Sequence, residues 1–526
     1  MQTEQDLAGV CLALIGDTCV PSVAERGLAN TRQKGLLEPF DIDAIRALII
    51  GGADPLGDAF ALIRSTHVRR ASGAVYTPQP IVGAMLTWLS TQGKPSRIVD
   101  PGAGSGRFIL AAGEAFPEAR LVAVEMDPLA ALMLRANLAV RGFAGRATVL
   151  LTDYRTVALP RIGGMTAFVG NPPYVRHHDI TAQWKVWYAA RFADFGIKAS
   201  ALAGLHLHFF LQTRLLASAG DIGAFITSAE WMDVNYGSAL RRLFLEQLGG
   251  IALHVLDPKV EAFPGIATTA AITCFRVGET AQPVRVRSVG DFVRLKGLTS
   301  GVDVPRERLK SEPRWSIIVR PTVPDTGGTV ELGELCRVHR GQVTGANGIW
   351  IAGVRADGLP ERVKLAAVTK ARDLIQAGAH LRSAAALRRV IDLPAELDDF
   401  TNEEQQGIND FLHWAKAQGA DQGYIARHRK AWWSVGLKAP APVLCTYMAR
   451  RPPQFTLNTC GARHINIAHG LYPREPMADG VLSRLVTWLN ENVNTGSGRT
   501  YAGGLTKFEP KEIERLRIPT LDALVA

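Results

Sequence analysis

The sequence predicts an α/β fold: a seven-stranded, mostly parallel, doubly wound sheet, followed by a C-terminal domain of mixed α+β structure. Short apolar segments alternate with helical segments between about residues 95 and 275, and polar residues gather where these segments end. The alternation stops after about residue 280, and 526 residues exceed what one core usually holds. We therefore expect an N-terminal helical segment (1–70), an α/β domain (71–295) and a C-terminal domain (296–526).

Seven apolar segments are the expected strands. They are Ile98–Val99, Leu121–Val124, Thr148–Leu151, Ala167–Val169, Ala224–Thr227, Ile251–Leu256 and Ala270–Phe275. Strands that alternate with helices form βαβ units and hence a parallel sheet. A loop without a full helix separates the last two, so we expect the final strand to run antiparallel. Apolar spacing predicts N-terminal helices over Leu7–Ile15 and Ile42–Ile50.

Composition limits the class of protein. The net charge of +10 suits a polyanionic partner. No apolar run reaches 18 residues, and Met1–Leu7 lacks the basic start of a signal peptide, so we expect a cytoplasmic protein without a membrane span. The six cysteines form no CxxC pair, which predicts free thiols and no metal site.

The first predicted strand leads into a glycine-rich loop. Asp100 ends the strand, and Gly102, Gly104 and Gly106 follow at alternate positions, where they allow the backbone to approach a ligand closely. The GxGxG spacing differs from the GxGxxG of dinucleotide enzymes. Glu125 and Asp153 end the next two strands. Three acids at neighbouring strand ends predict a site for a nucleoside without phosphates, with Glu125 accepting hydrogen bonds from a ribose and Asp153 meeting an adenine amino group.

The fourth strand ends in Asn171-Pro172-Pro173-Tyr174. An exocyclic amine of a nucleobase is a poor nucleophile, because its lone pair is delocalised into the ring. The Asn171 side-chain oxygen and the Pro172 carbonyl can accept both amine hydrogens and favour sp³ geometry, while Tyr174 offers a face for stacking. The two prolines hold the turn rigid. A base inside a duplex must be flipped out to reach such a site, and Phe263 is a candidate for its second face.

These residues resemble, in the same order, the motifs of γ-class DNA adenine-N6 methyltransferases of the restriction–modification type. The resemblance includes Gly73–Pro78, which is similar to the cofactor motif of that family, and it implies a class I methyltransferase fold that uses S-adenosylmethionine. The cofactor residues implied are Tyr76, Thr77, Pro78, Asp100, Gly102, Gly104, Gly106, Glu125, Met126, Asp153 and Tyr154. The target-base residues implied are Asn171, Pro172, Pro173, Tyr174 and Phe263. The one mild departure is Ala103.

The C-terminal half resembles a target-recognition domain of such enzymes. Arg340–Asn347 and Arg499–Phe508 carry this resemblance, and the segment Arg427–Trp433 between them combines basic groups with aromatic ones. The DNA-binding candidates are Arg340, Thr344, Asn347, Arg427, Arg429, Lys430, Trp432 and Trp433. The alternative for the last segment is a solvated basic turn beside two core tryptophans. The expected partners are double-stranded DNA and a separate restriction endonuclease, and we expect a monomer.

Other readings remain open. The motif Asn-Pro-Pro-Tyr also occurs in methyltransferases that act on RNA or on a protein glutamine, although those chains are usually shorter. A non-catalytic DNA-binding subunit would retain the fold and usually loses Asn or Tyr from this motif. A fused nuclease would need on the order of 150 further residues. His206-x-His208 lies in an apolar helix without nearby acids, which favours helix packing over a metal.

Overall fold

The computed structural model describes residues 1–29, 41–64, 77–257, 260, 269–319, 329–495, 498–500 and 505–525. The chain divides into two compact units, Met1–Thr322 and Val323–Ala526. Within the described residues, no helix is long and apolar enough to cross a membrane.

The first unit is built on a nine-stranded sheet. Its strands are β1 (Arg97–Pro101), β2 (Arg120–Glu125), β3 (Ala147–Leu151), β4 (Thr166–Gly170), β5 (Ile222–Ser228), β6 (Gly250–Leu256), β7 (Ala270–Arg276), β8 (Val284–Val289) and β9 (Val302–Val304). The strand order is β3-β2-β1-β4-β5-β7-β6-β8-β9, and the first five strands are parallel. All seven expected strands are present, and β7 is antiparallel to both β5 and β6, as expected.

Helices cover both faces of this sheet. They are α1 (Glu4–Ile15), α2 (Val23–Arg26), α3 (Ile42–Ile50), α4 (Pro55–Ile63), α5 (Gln79–Gln92), α6 (Arg107–Ala115), α7 (Pro128–Val140), α8 (Ala182–Ala193), α9 (Leu205–Leu216), α10 (Ser238–Arg242), α11 (Arg306–Ser311) and α12 (Ser316–Val319). Successive strand residues enter different cores: Ile98 belongs to one hydrophobic cluster and Val99 to the other. The middle of each central strand is therefore mainly apolar, because both faces are buried.

The first unit extends further than the boundary expected at residue 296. β8 pairs in parallel with β6, β9 pairs with β8, and the fully buried Trp315 packs edge-on against Trp231 at 5.6 Å. This segment adds to an existing sheet edge without a new strand–helix repeat. Its membership of the first unit was therefore not visible in the sequence pattern.

The second unit combines several small sheets with helices, in agreement with the expected mixed α+β structure. Its strands are β10 (Thr329–Glu331), β11 (Cys336–Arg340), β12 (Lys364–Val368), β13 (His380–Leu381), β14 (Arg388–Ile391), β15 (Val443–Thr446), β16 (Met448–Ala449), β17 (Phe455–Asn458), β18 (Arg463–His464), β19 (Ala468–Pro473), β20 (Arg499–Thr500), β21 (Thr506–Lys507) and β22 (Arg517–Pro519). Its helices are α13 (Leu332–Leu335), α14 (Asn347–Trp350), α15 (Ala371–Ala377), α16 (Asn402–Ala417), α17 (Tyr424–Arg427), α18 (Asp479–Asn492), α19 (Pro510–Glu514) and α20 (Leu521–Val525). The largest sheet has the order β11-β19-β15-β17-β13.

Candidate active site and nucleic-acid interface

The glycine-rich loop joins β1 to α6 at the carboxyl edge of the sheet. Gly102, Gly104 and Gly106 have φ values of 101°, 56° and 102°, a region that side chains rarely tolerate. A Cβ on Gly106 would also lie 2.7 Å from Cδ1 of the buried Leu134. The loop therefore presents backbone at positions where other residues would be strained.

Glu125, at the end of β2, is bound to this loop. Its Oε2 accepts a hydrogen bond from the Gly104 amide at 2.8 Å, and its Oε1 accepts from the amides of Met126 and Asp127 at 2.8 and 2.9 Å. Burial raises the pKa of Glu125, against the lowering effect of these amides. Met126 lies next to it with 64% of its surface exposed. The carboxylate thus joins the loops after β1 and β2.

Asp100 is a second buried acid at this edge. It is 1% exposed, and no side chain within the described ranges donates a hydrogen bond to its carboxylate. Burial, and then the charge of Glu125, raises its pKa well above the ordinary value. A ligand that donates hydrogen bonds or carries positive charge would complete this site.

The third acid is already engaged. Arg155 binds the Asp153 carboxylate at 2.6 Å, and its guanidinium lies 3.9 Å from the centre of the Trp184 ring. Tyr154 is 2% exposed, and its hydroxyl pairs with Thr213 Oγ1 at 3.0 Å. Asp153 forms an ion pair, and the Tyr154 hydroxyl points into the core. Contact of these two residues with an adenine ring stays a prediction.

The segment Asn171–Tyr174 follows β4, next to the glycine loop. The Asn171 side-chain amide donates to Thr77 Oγ1 at 3.1 Å. A Cβ on Gly102 would lie 3.5 Å from Pro173 Cδ, and one on Gly170 would lie 2.7 Å from Asp100 Oδ1. The structure thus brings together three segments that are far apart in sequence. Thr77 is 3% exposed, and Pro78 is the N-terminal cap residue of α5.

Aromatic and histidine rings pack next to this segment. Tyr174 meets the ring of His206 edge-on, with centroids 5.9 Å apart and an interplanar angle of 71°. In the same helix, His208 stacks on Tyr188 at 4.3 Å. Burial lowers the pKa of His206 to about 4 and that of His208 to about 3. Both histidines pack in the core as expected, but the contact with Tyr174 depends on tertiary structure and has no sequence signal.

Two expected site residues, Tyr76 and Phe263, lie outside the described residues. Within the described part of the chain, no group of three or more His, Cys, Asp or Glu residues could hold a metal ion.

The second unit contains the DNA-binding candidates. Arg340 forms an ion pair with Glu509 at 2.5 Å and lies 5.8 Å from the Tyr447 ring centre. The Thr344 hydroxyl pairs with the Asn347 side-chain oxygen. These candidates therefore have partners inside the protein.

Basic side chains of the segment 427–433 likewise have partners inside the protein. Arg429 donates to the carbonyl oxygens of Val343 and Thr344 at 2.7 and 2.9 Å, so it fastens one candidate loop to another. Arg427 donates to the Gln422 carbonyl at 2.7 Å. Lys430 pairs with Glu396 at 2.7 Å on an exposed surface.

The two tryptophans are partly buried against a hydrophobic cluster. Trp433 donates its indole N–H to the Pro394 carbonyl at 3.0 Å, and the Trp432 ring lies 6.2 Å from that of Trp350. These contacts leave both interpretations of the segment as predictions, the DNA interface and the solvated basic turn beside two core tryptophans.

Comparison with known proteins extends these observations. Residues 153–253 match the model of the Eco57I restriction-modification methylase, and residues 320–526 match the C-terminal domain of Type II methyltransferase M.Eco57I. Type II methyltransferase M.XamI of Xanthomonas campestris pv. amaranthicola is 71% identical over 534 residues and covers 100% of both chains. Type II methyltransferase M.AccI of Acinetobacter calcoaceticus is 19% identical over 471 residues, or 86% of each chain.

A solved structure shows the same fold. The Type IIL restriction-modification enzyme MmeI, solved in complex with DNA, superposes with a TM-score of 0.59 at 13% identity, covering 98% of this chain and 80% of that one. The full-length match at 71% identity shows that the chain belongs to the family of Type II restriction–modification DNA methyltransferases.

Proposed function

We propose that this DNA methyltransferase transfers a methyl group from S-adenosylmethionine to the exocyclic N6 amine of an adenine in double-stranded DNA. The observation that carries the proposal is the position of Asn171–Tyr174, beside the glycine loop and hydrogen-bonded to Thr77. The segment proposed to bind the amine thus lies next to the glycine loop proposed to bind the nucleoside.

The residues present fit S-adenosylmethionine. This cofactor has no phosphate, which suits an edge lined by acids, and it carries a sulfonium and an ammonium group. The buried Asp100 has no side-chain donor among the described residues, so a bound group that is positively charged or donates hydrogen bonds would stabilise its carboxylate. Gly102, Gly104 and Gly106 would hold the cofactor, with Glu125, Met126 and Asp153 around its nucleoside and Thr77 near its methionine portion. When bound, the cofactor supplies an activated methyl group.

The protein would mainly orient the adenine amine. The Asn171 side-chain oxygen and the Pro172 carbonyl would accept its two hydrogens and direct the nitrogen lone pair towards the methyl carbon. The bound cofactor would supply its methyl group to this nitrogen and leave as a neutral thioether, and the displaced amine proton would pass to water. No strong base is required before attack, so positioning accounts for most of the catalysis.

The target base must leave the duplex to reach this edge. Tyr174 would stack on the flipped adenine, and His206 supports the Tyr174 ring from behind. Phe263 is proposed for the other face. The second unit would bind the duplex, a role supported by the match to the C-terminal domain of a Type II methyltransferase. A monomer, and a separate restriction endonuclease as partner, remain part of the proposal.

Genomic DNA from a methylation-free host expressing the chain tests the proposal directly. Sequencing with detection of modified bases should show N6-methyladenine at one position of a single short motif. Absence of modified adenine would contradict the proposal. Transfer of labelled methyl groups to RNA or protein fractions would then indicate one of the alternative substrates.

A further inference from the structure

The N-terminal helices pack against the methyltransferase core. Side chains from α1, α3 and α4 form one hydrophobic cluster with Leu129, Leu132 and Met133 of α7. The buried Glu25 accepts a hydrogen bond from Arg135 of α7 at 2.7 Å. Because α7 directly follows the strand that ends in Glu125, these helices lie against an element that supports the candidate cofactor site.

One residue of this segment reaches the glycine loop itself. Asp54 caps α4, because its Oδ1 accepts from the Gly57 amide at 2.9 Å. Its Oδ2 accepts from Ser105 Oγ at 2.7 Å and from Arg107 Nε at 2.8 Å. These two residues flank Gly106, so one carboxylate binds the loop on both sides of its third glycine.

The same network continues to other parts of the site. Arg107 donates through Nη1 to the Thr77 carbonyl at 3.4 Å, and Asn137 of α7 donates to the Ser105 carbonyl at 2.8 Å. Asp54 and Arg107 have side-chain exposures of 15% and 26%. Their contact is thus shielded from much of the solvent. Charge-assisted hydrogen bonds are stronger in such places than in water.

A second contact reaches the loop after β2. Arg64, just after α4, binds Glu4 at 2.8 Å and also pairs with Asp127. The Asp127 amide donates to Oε1 of Glu125 at 2.9 Å. The N-terminal segment is therefore linked to both loops that Glu125 joins.

We propose that Asp54 is a positioning residue for the cofactor site: it fixes the glycine loop through Ser105 and Arg107 and makes the N-terminal helices part of that site. The inference rests on the proposed use of S-adenosylmethionine. A loop whose glycines have positive φ needs external contacts to keep one conformation, since glycine has the greatest conformational freedom. Loss of the Asp54 contacts should weaken cofactor binding and leave the reacting groups in place.

Calorimetric titration of the full chain with S-adenosylmethionine, without DNA, tests this inference. Asp54→Ser keeps a good cap for α4 but removes the carboxylate. We expect the Kd to rise about five- to tenfold, which matches the net contribution of one ordinary hydrogen bond. The kcat at saturating cofactor should stay close to that of the wild type, because Asn171 and Pro172 are untouched.

Two control variants separate positioning from general stability. Asp43→Ala removes an exposed acid from the same segment, and Glu25→Gln weakens a buried contact with Arg135 that involves neither Ser105 nor Arg107. Neither should change the Kd, although Glu25→Gln should lower the Tm. An equal rise in Kd for Glu25→Gln, or a wild-type Kd for Asp54→Ser, would overturn the inference.

Ser105→Ala provides a second route if Asp54→Ser fails to fold. It removes the other partner of the 2.7 Å hydrogen bond, and we expect a smaller rise in Kd. If both variants fold, their effects should not add. Additive effects, or no effect of Ser105→Ala, would count against the inference. Failure of the wild-type chain itself to bind S-adenosylmethionine would instead contradict the proposed function.

Discussion

Two regions of the molecule carry charges of opposite sign and differ in what those charges bind. One is the carboxyl edge of the sheet in the first unit, and the other is the segment 427–433 of the second unit. At the sheet edge, the Glu125 carboxylate is held by backbone amides, while the buried Asp100 has no side-chain donor among the described residues. In the second unit, Arg429 and Arg427 donate to backbone carbonyls. These acids belong to the ligand site that we propose, whereas these arginines hold backbone segments of the unit that contains them.

The comparison shows why positive charge alone is a poor guide to a DNA surface. An arginine has five N–H donors and can satisfy carbonyl oxygens that no other side chain reaches. Arg429, which fastens the loop at Val343 and Thr344, would act on DNA mainly by holding that loop. Lys430 pairs with an exposed glutamate, a contact of low strength that a phosphate could replace.

The largest expected effect is at the sheet edge. Asn171→Ala should lower kcat by about 10³-fold or more, because it removes the acceptor that orients the amine. Calorimetry should show cofactor affinity close to that of the wild type. Asn235→Ala, which alters an exposed asparagine of the same unit, is the matched control. Substantial turnover by Asn171→Ala would contradict the proposed role.

Acid should destabilise the first unit through the two histidines behind Tyr174. Burial lowers their pKa values to about 4 and about 3, from an ordinary 6.5, so the unfolded chain binds protons first. Stability is therefore fullest above pH 6.5 and falls towards pH 4, by up to ~1.4 kcal/mol per pH unit for each histidine. Denaturant unfolding across this range measures the slope.

His208→Phe should make that slope shallower, because phenylalanine can stack on Tyr188 without titrating. His413→Phe, a change at an exposed position of the second unit, should leave it unaltered. An identical pH dependence in wild type and His208→Phe would show that other groups cause the acid sensitivity.

Arg429→Ala should cost about 2 kcal/mol of unfolding free energy in the second unit, since two carbonyl oxygens lose a charged donor. DNA affinity should fall as well, because the loop at Thr344 loses its anchor. Thermal unfolding and a DNA titration at fixed salt measure the two effects. Normal stability combined with weaker DNA binding would indicate direct contact with DNA instead.

Lys430→Ala should have the smallest effect on stability. Unlike Arg429→Ala, it should change DNA binding and leave stability almost unchanged. Its pair with Glu396 is exposed on both sides, so the Tm should hardly change. If Lys430 contacts a phosphate, DNA affinity should fall by a similar factor for every sequence, and the salt slope should decrease by about one. An unchanged salt slope would remove Lys430 from the interface.

Local sequence patterns were sufficient for the strands and for the loops at their ends. Ile98–Val99, for example, could be assigned because a strand buried on both faces is apolar throughout. The continuation of the sheet through β8 and β9 could not be assigned, since these strands join an edge without a repeating helix. The partners of Tyr154 and Arg429 are distant in the chain, so no local pattern predicts them.

By itself, the sequence determined the α/β fold, the glycine loop and the segment Asn171–Tyr174, because each depends on backbone conformation and on residues adjacent in the chain. Only the tertiary structure decided which polar groups face a site and which are bound inside the protein. Asp54 illustrates this: it lies about fifty residues before Ser105 in the chain, yet its carboxylate binds that residue at 2.7 Å. Contacts at such separation follow from packing, which no local pattern encodes.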